Sequence, residues 1–231
     1  MLNKSVSLRL ELLGLNPLDL NPFLYSSPQY QIELYERKLS MFHKKDNHHV
    51  FVDFKSKQLQ FRSQAHLNAE LIIKAVLGKK KQPTSIMDCT AGFGKDSYLL
   101  SLTGSQITAF ESNPVMYALL KDGLNRSNIE NIFLRKKDAM REIKLTDCDV
   151  IYIDPMYPAT KKSAKNNKNM MFLQAIVGHQ ADMAEELFNQ GMISNASKMV
   201  IKRPVKASFV TNKKPTFQII GKAARFDVYV K

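Results

Sequence analysis

Cysteine is scarce in this chain: there are two in 231 residues, Cys89 and Cys148, far apart and outside any paired-cysteine motif. Neither a disulfide framework nor a zinc site is expected from them, and a reducing, cytoplasmic setting fits best. Long apolar runs are missing too. No stretch approaches the ~20 apolar residues that span a bilayer. The first thirty residues carry no apolar core followed by a cleavage signal, so no membrane partner is expected. The five histidines, His48-His49 among them, lack metal-ligand spacing with one another or with cysteine, and no metal is expected. Acidic residues are in deficit, 21 Asp and Glu against 34 Lys and Arg, which leaves a formal charge of +13 at pH 7. Such an excess attracts polyanions, nucleic acid foremost, although a solvated lysine surface has the same composition.

The 44% of hydrophobic residues can bury a real core. Turn chemistry at Asn16, Pro17, Asn21 and Pro22 closes a first segment, Ser5 to Leu15, that is compatible with a short helix or a strand. Partial alternation over Gln31 to Met41, His49 to Phe54 and Gln58 to Arg62, with a turn at Lys55 to Lys57, predicts a small antiparallel sheet. Helical spacing over Leu67 to Leu77 ends at Gly78, before a lysine-rich linker. Residues 1–80 are thus expected to be an amino-terminal extension, and residues 81–231 the main domain.

After Pro83 the pattern changes. Strands are predicted at Ser85 to Cys89, Gln106 to Glu111, Ile132 to Lys136, Val150 to Ile153 and Met199 to Lys202. Helices are predicted at Lys95 to Leu102, Pro114 to Arg126, Asn169 to Val177 and Ala181 to Gln190. Alternation of this kind is the mark of an α/β fold with a mostly parallel sheet and crossover helices. Phe217 to Ile220 and Phe226 to Val230, joined through Gly221, read as a closing antiparallel pair.

Two stretches carry chemistry. Asp88-Cys89-Thr90-Ala91-Gly92-Phe93-Gly94-Lys95-Asp96 follows a strand and opens a helix. Gly92 and Gly94 let the backbone approach a ligand closely, and the helix start presents free N–H groups. Glu111, at the end of the next strand, is placed to accept both hydroxyls of a ribose. Loop and carboxylate suit a nicotinamide dinucleotide and S-adenosylmethionine alike, but the third glycine of the dinucleotide fingerprint is missing. Asp138, after the third strand, is a candidate acceptor for an adenine amino group, although a lone Asp after a strand is more often a helix cap or a solvated turn residue.

The second stretch is Val150-Ile151-Tyr152-Ile153-Asp154-Pro155-Met156-Tyr157-Pro158, a buried strand ending in a carboxylate and a rigid loop. Pro155 and Pro158 remove backbone donors and leave carbonyl oxygens for the cleft. A planar amino group could donate one hydrogen to Asp154 and one to such a carbonyl, while Tyr157 stacks on the attached base. Asp154 would then stabilise the positive charge that develops on the amine during methyl transfer. Lys161, Lys162, Lys165 and Lys168 follow at once and are candidate phosphate contacts. Lys202 and Arg203, with Pro204 after them, either guide RNA or support the reaction loop.

As a group these residues, with Phe51-Val52-Asp53-Phe54, Ser112-Asn113-Pro114, Asp122-Gly123-Leu124 and Arg225-Phe226-Asp227, resemble a known family. It is RsmJ, the bacterial small-subunit ribosomal RNA guanine-N2 methyltransferases. The resemblance runs from about Phe51 onward and implies a class I, Rossmann-like methyltransferase fold. It also implies S-adenosyl-L-methionine contacts at Lys95, Asp96, Glu111, Ser112 and Asp154, with the adenine side at Asp138 and Ala139. The expected partner is ribosomal RNA or the small ribosomal subunit. Rival readings are an amino-group methyltransferase acting on adenine or on a protein glutamine, and a non-catalytic RNA-binding protein. A nicotinamide oxidoreductase is disfavoured by the absent glycine.

Overall fold

The computed structural model describes residues 2–64, 67–79, 82–156, 172–173, 176 and 181–231, and the side chains of all of these except 181 and 182. Two sheets organise the chain. The small one is antiparallel, in the order β1 (Tyr30–Tyr35), β2 (Lys38–His43), β3 (His48–Val50). The single run expected over Gln31 to Met41 is a hairpin whose two-residue turn, Glu36 and Arg37, has positive φ at both positions (49° and 62°). Such turns usually announce themselves with Asn or Gly; a Glu-Arg pair carries no such signal. Gln58 to Arg62, expected as a strand, lies instead in α3 (Lys57–Gln64), with Leu59 its buried residue. One inward side chain per turn suits a helix laid on a core, whereas a strand there would have needed a pairing edge.

Helix α1 (Lys4–Leu12) is capped by Asn3, which accepts the Val6 N–H at 2.9 Å, and buries Val6 and Leu10. After the short α2 (Asn21–Ser26) and α3, helix α4 (Leu71–Leu77) buries five of its seven residues and stops at Gly78, at φ +66°. The large sheet has the order β6-β5-β4-β7-β8-β10-β9, made of β4 (Ser85–Asp88), β5 (Gln106–Phe110), β6 (Ile132–Arg135), β7 (Val150–Ile153), β8 (Lys198–Pro204), β9 (Phe217–Ile220) and β10 (Ala224–Val230). Its first five strands are parallel, and β10 pairs antiparallel with both β8 and β9. Helices α5 (Lys95–Ser101), α6 (Pro114–Ser127) and α7 (Ala181–Met192) complete the crossovers. Of the helix expected over Asn169 to Val177, Phe172, Leu173 and Ile176 are described, all three helical, with the first two buried. No helix among the described residues is long and apolar enough to cross a membrane.

One buried cluster runs through both sheets, taking in Leu10, Ile32, Leu39 and Met41 of the extension with Leu119, Leu120 and Tyr152 of the main fold. Its seam lies on α6. There Asp122, fully buried, accepts Arg9 Nε at 2.6 Å, Arg126 Nε at 2.7 Å and the Leu39 N–H at 3.1 Å. Beside it, a Cβ on Gly123 would overlap Val52, so the glycine is what lets the extension dock.

Candidate active site

Strand order reverses between β4 and β7, and open α/β sheets take ligands at the carboxyl ends of the strands on either side of such a point. Asp88 ends β4 and Asp154 follows β7, so the two stretches singled out in the sequence meet there. The loop between β4 and α5 turns through Gly92 (φ +51°) and Gly94 (φ +68°). A Cβ on Gly94 would stand 2.5 Å from Leu120 and 3.3 Å from Phe54, which presses the loop onto the core and onto the extension.

Glu111 is 7% exposed and sits just past β5, where its two oxygens accept the N–H groups of Gly92 (3.1 Å) and Asn113 (2.8 Å). Carboxylate and glycine loop are therefore one rigid unit. Burial pushes Glu111 up to about 7, against the pull of those N–H donors. Ser112 next to it is exposed. Asp88, 1% exposed, is likewise raised to about 7 by burial, although Ser97 Oγ and the Thr90 N–H both donate to it.

The reaction end is a chain of polar contacts. The Tyr152 hydroxyl donates to Asp96 Oδ2 at 2.6 Å, and Lys202 Nζ donates to the same oxygen at 2.7 Å and to Asp154 Oδ2 at 2.8 Å. The Asp154 N–H is held by Thr90 Oγ1 at 2.7 Å. Burial raises both carboxyls. In Asp96 it is outweighed by Lys202 and Tyr152, which hold that group below the ordinary range, whereas Asp154 stays above it. Lys202, despite its burial, is held protonated by its two carboxylates.

Among the residues expected to act together, Asp88, Gly92, Gly94, Lys95, Asp96, Glu111 and Asp154 do converge, with Pro155 buried behind Asp154. Asp138 caps the 3-10 turn Ala139–Arg141, accepting the Met140 N–H at 3.0 Å, and Ala139 is buried. Lys202 belongs to the reaction end. Arg203 is buried and donates to Ser208 O at 2.7 Å, inside a loop that Arg225 also fixes through the carbonyls of Val205 (2.6 Å) and Ala207 (2.7 Å). Neither side chain is displayed as an outward phosphate contact. Tyr157, Lys161, Lys162, Lys165 and Lys168 lie outside the described residues.

Three contributors are given no role by the sequence. Tyr152 hides in an apolar strand, and only its period-2 relation to Asp154 hints at a shared face. Thr90 anchors the Asp154 backbone. Arg62, on α3, forms a two-point pair with Glu70 (2.8 and 2.7 Å) and lies close enough to lower the Asp96 carboxyl and the Lys95 ammonium, the latter already lowered chiefly by burial.

These residues fit S-adenosylmethionine. The buried Glu111 suits ribose hydroxyls, and Asp96 and Asp154 share the one Lys202 ammonium that touches them, leaving carboxylate oxygen for a ligand that bears a sulfonium and an ammonium.

The chain is similar to known methyltransferases. The family profile described as "Putative SAM-dependent methyltransferase" matches residues 20–231. The ribosomal RNA small subunit methyltransferase J of Francisella tularensis subsp. novicida is 34% identical over 200 residues, 80% of this chain and 81% of that protein. Its namesake in Francisella philomiragia is 33% identical over 222 residues, 90% of each. A crystal structure of a SAM-dependent methyltransferase from Neisseria gonorrhoeae superposes with a TM-score of 0.65 at 29% identity, covering 84% of this chain and 79% of that one. By the family profile over residues 20–231 and by relatives 33–34% identical over most of its length, the chain belongs to the ribosomal RNA small subunit methyltransferase J family of SAM-dependent methyltransferases.

Proposed function

We propose that the protein transfers a methyl group from S-adenosylmethionine to the exocyclic N2 amino group of a guanine in small-subunit ribosomal RNA, in the cytoplasm and without a metal. The carrying observation is the placement of Asp154 at the carboxyl end of β7, beside the Glu111 and glycine-loop unit, with one carboxylate oxygen already held by Lys202. Relatives named for small-subunit ribosomal RNA, and a charge of +13, support the choice of acceptor.

S-adenosylmethionine, when bound, supplies a methyl group on a sulfonium whose leaving group is a neutral thioether. What the chain contributes is positioning and charge. Glu111 would hold the ribose, and the glycine loop would admit the ligand against the backbone. The acceptor amine, hydrogen-bonded to Asp154, would be aligned for in-line attack; such alignment can supply much of the barrier reduction. As the nitrogen gains its carbon bond it turns cationic, and the fixed Asp154 anion stabilises that charge before the surplus proton leaves to water.

The test is a comparison of ribosomal RNA from cells with and without the gene, mapped for methylated guanines, joined to methyl transfer by the purified protein in metal chelator. Loss of one N2-methylguanine from the small subunit, restored by the purified protein, is the expected result. Loss of a methyladenine or of a methylated protein glutamine would replace the acceptor.

A further inference from the structure

We infer that Lys202 is a positioning residue of the transfer reaction: it clamps Asp96 and Asp154 together, occupies one oxygen of Asp154 and thereby leaves the other to the acceptor amine. This rests on the functional reading above but goes beyond it, since that reading requires only Asp154.

The geometry is specific. Parallel pairing of β7 with β8 sets Tyr152 opposite Val200 and Ile153 opposite Ile201, so one residue further on Lys202 stands beside Asp154. From there Nζ reaches Asp96 Oδ2 at 2.7 Å and Asp154 Oδ2 at 2.8 Å, with the lysine side chain 28% exposed. Among the described residues no hydrogen bond reaches Asp154 Oδ1. An ammonium offers three donors from one point, and two of them are spent here on two carboxylates from different elements. That freezes the Asp154 side chain without the N–H contacts that hold Glu111.

Lys202 itself is held within β8, opposite Phe226 of β10, and the loop after β8 is fixed as well. Arg225, buried in β10 and paired with Asp227 at 2.9 Å, ties that loop to the sheet through Val205 and Ala207. Thus the Lys-Arg-Pro and Arg-Phe-Asp motifs, unassigned by the sequence, act on one object.

Among the described residues, the charged and titratable groups acting on Asp154 are Asp88 on β4, Asp96 on α5, Tyr152 on β7 and Lys202 on β8, with Lys95 on α5 and Arg62 on α3 acting on Asp96. Asp88, Asp96 and Asp154 repel one another, and among the described residues Lys202 is the cation in direct contact with two of them. Since the two carboxylates hold its proton firmly, Lys202 acts as a fixed charge and passes no proton. Removing it makes Asp154 harder to ionise, because burial and Asp96 then act unopposed.

The experiment uses the full chain with Lys202→Met and Lys202→Arg, and a Lys202→Met/Asp96→Asn double variant in case the uncompensated carboxylates prevent folding. Carboxyl 13C NMR titration of the cofactor-free proteins reads Asp154 directly. Single-turnover methyl transfer to ribosomal RNA, measured against pH, reads its consequence. Lys202→Met is expected to move the Asp154 titration and the acidic limb of the rate profile to higher pH by at least one unit. Lys202→Arg should return both towards wild type, and the double variant should lie between. Superimposable titrations for Lys202→Met and wild type overturn the inference. So does an unchanged acidic limb accompanied by weaker RNA binding and a salt dependence flatter by about one unit, the signature of a phosphate contact. A wild-type protein that titrates as expected but methylates no RNA would sink the functional reading and leave the clamp standing.

Discussion

The Asp122 carboxylate on α6 accepts the backbone N–H of Leu39 on β2 at 3.1 Å, tying the main sheet's helix layer to the small amino-terminal sheet. Two arginines complete its shell, Arg9 from α1 and Arg126 one turn along α6, so three elements depend on one buried anion. Asp122→Ala leaves both guanidiniums, each about four-fifths covered, without their partner. Breaking a buried charge pair of this kind costs about 3 kcal/mol. A urea midpoint lowered accordingly is expected; an unchanged midpoint means the extension docks by apolar contact alone.

Glu111→Ala should weaken S-adenosylmethionine binding by about 1.5 to 3 kcal/mol, the usual loss for a hydrogen bond to a charged partner. It also frees the Gly92 N–H, so the loss should be read by calorimetry together with a thermal melt. Wild-type affinity in a folded variant would remove Glu111 from the ribose site.

Glu111 and Asp88 are both raised to about 7 by burial. In each case the folded chain retains a proton that the unfolded chain loses near the ordinary carboxylate range. Stability of the cofactor-free protein should therefore fall as pH climbs from about 4 to about 7 and level off above that, by up to about 1.4 kcal/mol per pH unit for each group. Urea unfolding of Glu111→Gln should show a shallower slope over that window than wild type. Equal slopes would mean that Glu111 titrates like an exposed carboxyl.

Asp154→Asn keeps the shape of the group and loses its charge, so single-turnover methyl transfer at saturating cofactor and RNA should fall on the order of 100-fold to 1000-fold. A near wild-type rate would end the amine-orienting role, and the assignment of an amino-group acceptor with it.

Neutralising Lys161, Lys162, Lys165 and Lys168 together should weaken RNA binding and flatten its log-log salt dependence by about 3 units if all four meet phosphates. An unaltered slope assigns them to a solvated loop.

Much of this protein can be read along the chain. The strand runs from Ser85 onward, the glycine loop, Glu111 and Asp154 are each encoded locally, in a strand and the few residues that follow it, because a β-α unit and its carboxyl-end loop obey local periodicity and turn chemistry. Where local signals are weak, the reading failed: Gln58 to Arg62 became helix, and the Glu36-Arg37 turn split one expected strand into two. The sequence leaves Lys202 and Arg203 between guiding RNA and supporting the reaction loop, and gives Arg225 and Asp122 no role beyond the family resemblance. Lys202 lies 48 residues from Asp154 and 106 from Asp96, and they meet only because β8 pairs with β7 while the first turn of α5, following β4, opens at the same strand ends. A long side chain's partner is set by strand order and register, and these follow from how the whole core closes.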